Sequence, residues 1–197
     1  EGGVDDWPLL RFGGGMYPYL RLASVMMTER AKPRLALFDT HAMAMRCLPN
    51  DLDGFFEMNN GRILTLYDLG RFALSVRIGL WDVLRREGWG LVVAGASVRY
   101  RARITGFQRF GLQTRLLGWD EKFFYIEQAM WRGETCCNHA LLRTGITKSG
   151  RLAPVADVAR AMGHAGQSPA LPDWVAGWVG GDQARPWPPM QDGTSSP

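Results

Sequence analysis

The sequence predicts an α+β domain in which an antiparallel sheet wraps around one long buried helix, and three observations carry that prediction. Residues 61–78 are apolar almost all the way round at helical spacing, the pattern of a helix with no solvent face. Downstream, apolar and polar residues alternate in about four successive runs separated by turn residues, as hairpin-linked strands do. The helix precedes those strands, so the sheet has to close over it to bury both.

Taken in order, residues 16–30 (MYPYLRLASVMMTER) carry apolar residues at roughly helical spacing until Pro33, which predicts a short helix or packed arm. In the next run His41, Met43, Met45 and Cys47 fall on one face and Ala42, Ala44, Arg46 and Leu48 on the other, which predicts a strand ending at Pro49. Residues 51–60 have no period and read as a loop. The long helix follows. Gly70 inside it costs about 1 kcal/mol against Ala, so it predicts close packing. A second short helix passes through Trp81, Leu84 and Arg85 and stops near Gly88.

Four strands come next. In the first, Ala96, Val98, Tyr100, Ala102 and Ile104 alternate with Ser97, Arg99, Arg101 and Arg103, giving an apolar face and an arginine stripe. Phe110, Leu112, Thr114 and Leu116 predict the second, Trp119–Lys122 a hairpin turn, and residues 123–131 and 135–147 the third and fourth. A short helix is expected over 154–162. The organisation is therefore an extension or appended, non-native sequence over 1–15, a domain over 16–163, and a C-terminal extension over 164–197. The stretch PDWVAGWV (172–179) is expected to dock through its two Trp, and beyond Gly180 the tail PWPPMQDGTSSP is expected to be mobile.

Composition narrows the function classes. A net charge of +4, from 23 basic and 19 acidic residues, suits a phosphorylated small molecule and is too mild for nucleic acid. Three Cys make no disulfide framework. Adjacent Cys136 and Cys137 point to opposite faces of a strand, and reduced thiols in the cytoplasm are expected. No apolar run reaches the roughly 18 residues of a membrane span. His41, His139 and His164 are scattered without ligand spacing, so no metal is expected.

Within residues 51–71, DLDGFFEMNNGRILTLYDLGR, the pattern Asp-x-Asp, a short loop, Met-Asn-Asn-Gly-Arg and then the helix resembles the thioesterase-like branch of the hotdog superfamily, related to 4-hydroxybenzoyl-CoA thioesterase. The later stretches Gly95–Tyr100 and Phe107–Tyr125 are similar to that branch too, and the resemblance covers roughly residues 17–163. It implies a hotdog fold, an acyl-CoA substrate with coenzyme A as part of it, no separate cofactor, and a homodimer or homotetramer with sites at the subunit interface. It also implies that Asp53 is the catalytic carboxylate. Where the family usually has His, this chain has Glu57.

The residues themselves allow the same chemistry. Asp53 can attack a thioester carbonyl or orient water, with Glu57 as a second carboxylate. The helix start at Asn59, Asn60 and Gly61 can cap the helix, contact the ligand and offer backbone N–H groups to the oxyanion. Asn60 is the expected cap. Asp51 reads as a loop residue. Arginines 99, 101 and 103 read either as a solvated strand face or as contacts to CoA phosphates. Two functions stay open: hydrolysis of acyl-CoA to acid and CoA, or a non-catalytic hotdog protein that binds acyl-CoA or acts as a scaffold.

Overall fold

The structure is a computed structural model that describes residues 17–164 and 166–189; the extension expected over 1–15 lies outside the described residues. Helix α1 (Tyr19–Arg30) runs to the turn before Pro33, and strand β1 (His41–Arg46) follows. The predicted alternation holds in β1: His41 and, just beyond it, Cys47 are buried. A single 3-10 turn over Pro49–Asp51 leads into the loop. Helix α2 (Asn60–Arg77) is the predicted central helix, and α3 (Leu80–Glu87) the short one, with Gly79 at φ 85° supplying the left-handed residue that separates them.

Strands β2 (Gly90–Tyr100), β3 (Arg109–Trp119), β4 (Phe124–Arg132), β5 (Thr135–Lys148) and β6 (Arg151–Leu152) form one antiparallel sheet with β1, in the order β1-β3-β4-β5-β2, with β6 beside β5. Helices α4 (Val155–Ala161) and α5 (Asp173–Ala184) close the described chain. The β3–β4 turn forms as predicted because Asp120 Oδ1 accepts from the N–H groups of Lys122 and Phe123.

The inner face of the sheet wraps α2. Leu66, Tyr67 and Leu69 from the helix pack with Phe110 and Leu112 from β3, Met130 from β4 and Leu142 from β5. This is the hotdog fold. The close approach expected at Gly70 is present: a Cβ there would sit 2.7 Å from Thr114 Oγ1 and 2.9 Å from Gln128 Nε2. The helix is not purely apolar, however. Arg62 and Arg71 are also buried in it. Arg71 donates to Gln128 Oε1 and to Asp68, and burial lowers its pKa to about 10.

Two expectations change. The arginine stripe does not continue through residue 103. Strand β2 ends at Tyr100, where the N–H groups of Arg101 and Ala102 both donate to Cys137 O, and that doubled contact turns the chain. Helix α5 also runs past Gly180, and most of the tail PWPPMQDGTSSP, from residue 190 on, lies outside the described residues. Helix α5 continues to Ala184 on the outer face of the sheet, seated by fully buried Val175 against Tyr125 and Leu141 and tied by Asp182 to Arg143 at 2.7 Å. Of its two Trp, Trp178 packs against Arg143, whereas Trp174 stays 46% exposed.

Candidate active site

Segment 47–60 is organised around Asp51, which is fully buried. Its carboxylate accepts from Arg21 Nη1 of α1 at 2.8 Å, from Arg62 Nε of α2 at 2.9 Å and from Leu48 N at 2.9 Å, and its carbonyl accepts from Asn59 N. A buried carboxylate needs such a set of donors to offset its lost hydration. Asp51, read as a loop residue from the sequence, is therefore the joint between α1, the loop and α2.

Asp53, two residues on, is half-buried. Its Oδ1 accepts from Phe55 N at 2.8 Å and Glu57 N at 3.3 Å, and its N–H donates to Glu57 O. One carboxylate oxygen is thus clamped by the turn. Phe56 completes that turn at φ 59°, a left-handed conformation that bulky residues rarely adopt, with its ring 76% exposed.

A cavity of about 220 Å³ opens beside the turn, lined by Glu57, Met58, Asn60 and Ile63 from the loop and helix start, Tyr100 to Ile104 from the end of β2, and Asn138 from β5. Glu57 faces Arg103 across it at 3.0 Å. The turn after Tyr100 is what brings Arg101 and Arg103 to this cavity and leaves Arg99 behind on the sheet. Tyr67, from the floor of the core, donates its phenol proton to Asn138 Oδ1 at 2.5 Å, and burial holds that phenol well above its ordinary pKa.

The structure brings Glu57 and Asn60 to the cavity. Asp53 is adjacent in the chain but is not among its lining residues. The helix cap is Asn59 rather than Asn60: Asn59 Oδ1 accepts from Gly61 N at 2.8 Å and Arg62 N at 3.3 Å. That corrects the expectation for Gly61, whose N–H is already satisfied within the cap. Asn60, first residue of the helix and exposed, is the position left to present a backbone donor. Sequence reading missed Arg21, Tyr100 and Asn138. Only Asn138 left a trace, since a buried Tyr such as Tyr67 demands a polar partner somewhere.

Burial works against thiolate formation at all three cysteines. Burial pushes the Cys47 thiol up to about 11, with the nearby Asp51 carboxylate adding to the effect, and raises Cys136 and Cys137 as well. Among the described residues no three His, Cys, Asp or Glu side chains cluster as metal ligands would, and no described helix is long and apolar enough to cross a membrane.

This fold and this loop place the chain among known proteins. The model of the thioesterase-like superfamily matches residues 47–179, which is most of the chain, and the protein belongs to that family. It is similar to Protein THEM6 of Xenopus laevis, 40% identical over 111 residues that cover 56% of this chain and 54% of that protein. It is also similar to Protein THEM6 of Danio rerio, 42% identical over 83 residues covering 42% of this chain and 41% of that one. The chain thus spans about half the length of these relatives or less. Among solved structures, a 1,4-dihydroxy-2-naphthoyl-CoA thioesterase from Synechocystis superposes with a TM-score of 0.54 at 12% identity, over 63% of this chain and 95% of that one, a likeness of fold.

Proposed function

We propose that the protein hydrolyses an acyl-CoA thioester to the free acid and CoA at the cavity between the Asp53–Glu57 turn and the start of α2. The observation that carries this reading is the half-clamped carboxylate of Asp53 in the turn before a buried helix whose first residue, Asn60, is exposed and lines the cavity. With Oδ1 held by two backbone donors, Asp53 presents its other oxygen in a fixed direction, either to attack the carbonyl or to hold a water. The Asn60 N–H and the positive end of the helix dipole oppose the oxyanion. Glu57, held by Arg103, supplies a second carboxylate at the thioester, and Arg101 and Arg103 make this cavity cationic toward an anionic substrate.

The functional unit is a homodimer in this proposal. Strand β2 lies at the open edge of the sheet, eleven residues long, with Val92 and Val93 exposed. A long, apolar, unprotected edge pairs readily with another strand, and a second copy of β2 would continue the sheet and cover the cavity at Tyr100. Mass measured in dilute solution checks this: a monomer would remove the dimer from the proposal.

The direct test is release of free thiol from a panel of acyl-CoAs. Asp53→Asn should lower turnover by about 100-fold or more, the scale of a lost acid–base or nucleophilic group. Undiminished turnover in that variant would take Asp53 out of the mechanism. The Glu57–Arg103 ion pair favours a second reading, a protein that binds acyl-CoA without turning it over, because a carboxylate neutralised by arginine is a poor base. That reading predicts thermal stabilisation by acyl-CoA with no thiol released.

A further inference from the structure

The outer face of the sheet, on the far side from the cavity just described, carries a second arrangement that hydrolysis does not use. Register aligns Arg99 of β2 directly with His139 of β5, and Arg115 of β3 directly with Glu127 of β4. Glu127 joins the two pairs: its Oε1 lies 2.8 Å from His139 Nε2 and its Oε2 2.6 Å from Arg115. The hydrogen bond to His139 is the chief reason the Glu127 carboxyl sits below its ordinary pKa, and Arg115 reinforces it. The result is a charged row across four strands in which Glu127 is compensated on both sides. Arg99, at the end of the row, has no carboxylate partner among the described residues.

Helix α5 turns this row into a pocket. Val175 seats the helix on Tyr125 and Leu141, and Trp174 and Trp178, one turn apart, stand over the row without filling the space below. The void is about 520 Å³, lined by Ser97, Arg99, Glu127, His139, Leu141, Trp174 and Trp178, a size in the usual ligand range of roughly 300–1,000 Å³. The Trp174 indole, still exposed, lies 5.5 Å from the His139 ring and is tilted by 59° to it. Trp178 is occupied by Arg143, which fixes that wall.

We propose that this pocket binds a small organic anion with a flat aromatic body, its anionic group against Arg99 and the His139 edge and its ring under Trp174. The two halves of the ligand follow from the two halves of the site. An uncompensated guanidinium beside an imidazole asks for a carboxylate or phosphate. A large indole left open at the mouth of a cavity asks for a stacked ring. The site stands whether or not the other face hydrolyses thioesters.

Calorimetric titration of the full chain tests it with three probes: naphthoate, its neutral analogue naphthamide, and adenosine monophosphate. Saturable binding of naphthoate or adenosine monophosphate is expected, and which of the two binds more tightly tells an aromatic acid from a nucleotide as the natural source. Naphthamide should bind at least ten-fold more weakly than naphthoate. Arg99→Gln and Trp174→Leu, both exposed, should each weaken naphthoate binding about ten-fold or more, and Arg103→Gln, at the other cavity, should leave naphthoate binding unchanged. In the unaltered protein the ligand should also shift the His139 imidazole resonance, a readout that does not depend on any variant folding. No saturable binding of either anion overturns the proposal. So does binding indifferent to charge or to Arg99 and Trp174, naphthoate binding lost with Arg103→Gln, or an unmoved His139 signal.

Discussion

Asp51 and Asp53 are two residues apart, identical in chemistry, and placed in opposite circumstances. Asp51 is fully buried and receives donors from two arginines and a backbone N–H. Asp53 is half-buried and receives only backbone donors from its own turn. The first is bound to two distant arginines as well as to its own turn, and has no freedom to act on a ligand. The second is held on one side only. The contrast shows how an Asp-x-Asp motif divides its labour: one carboxylate builds the site and the other is left to use it.

The largest effect should come from the builder. Asp51→Ala takes the carboxylate away from the nearly buried guanidinium of Arg62 and from Arg21 of α1, which keeps its bond to Arg46 O. Removing one partner of a buried pair costs about 3–5 kcal/mol, so urea unfolding should show a loss of that order. Asp53→Asn should cost less than about 1 kcal/mol in the same measurement while abolishing thiol release. If the two variants proved equally destabilised, the division of labour between the carboxylates would be wrong.

How much of this was legible in the sequence differs along the same segment. The central helix, the hairpin at Asp120 and the alternation of β3 were readable because each is fixed by local periodicity or turn chemistry. The tight contact at Gly70 was readable because glycine in a helix interior needs a reason. The role of Asp51 was not readable, because its partners Arg21 and Arg62 lie 30 and 11 residues away and no periodicity links them. The split arginine stripe was hidden for a related reason. Alternation continues through residue 103 in the sequence, but the strand stops where Cys137 O takes two N–H groups, a tertiary event. Gly61 was misread at the level of a single hydrogen bond, since either Asn59 or Asn60 could have been the cap.

Gly70→Ala comes next in size. The added methyl would meet Thr114 Oγ1, Gln128 Nε2 and Leu112 Cδ2 at 2.7–2.9 Å, inside a polar cluster that has no slack, and overpacking of this kind costs about 1–3 kcal/mol. It probes the core under α2 without touching either aspartate, so thiol release per folded molecule should be retained. An activity loss larger than the stability loss would tie the central helix to the chemistry more closely than the two carboxylates suggest.

A second buried carboxylate gives the comparison a pH axis. Glu29 of α1 is buried, and burial alone would raise its pKa, but hydrogen bonds from Lys32 and Arg77 outweigh that and hold it below the ordinary range. Beside it His41 is buried and its pKa is lowered, chiefly by burial; its Nε2 lies 3.0 Å from Glu29 Oε2 without good hydrogen-bond geometry. In the folded state the groups are a carboxylate and a neutral imidazole, and in both cases the unfolded chain binds protons more readily. Stability is therefore fully present above the ordinary histidine value of 6.5 and falls as the pH drops, through His41 first and through Glu29 below the ordinary carboxyl value of 4.5. Urea midpoints taken at neutral pH and in mild acid should show this decline, and His41→Gln should flatten its upper part. A midpoint independent of pH over that range would mean that α1 does not depend on this cluster.

The smallest effect sits in the turn that Asp53 caps, and it has the opposite sign. Phe56 holds φ at 59° with an exposed ring that packs against little, so its side chain gives the fold almost nothing while its backbone carries strain. A non-glycine residue in such a conformation costs about 1 kcal/mol or somewhat more, and glycine adopts it freely, although glycine also loses more entropy on folding. Phe56→Gly should therefore be neutral or stabilising by up to about 1 kcal/mol, whereas removal of an exposed aromatic residue from a relaxed turn would be neutral at best. The informative measurement is the pair of numbers, stability and thiol release. If the turn exists only to hold the Asp53 carboxylate, Phe56→Gly keeps both, because the Phe55 and Glu57 N–H groups still reach Oδ1. If stability rises and turnover falls, the strain or the exposed ring serves the substrate, and the user in this pair of aspartates needs Phe56 as well as its own carboxylate.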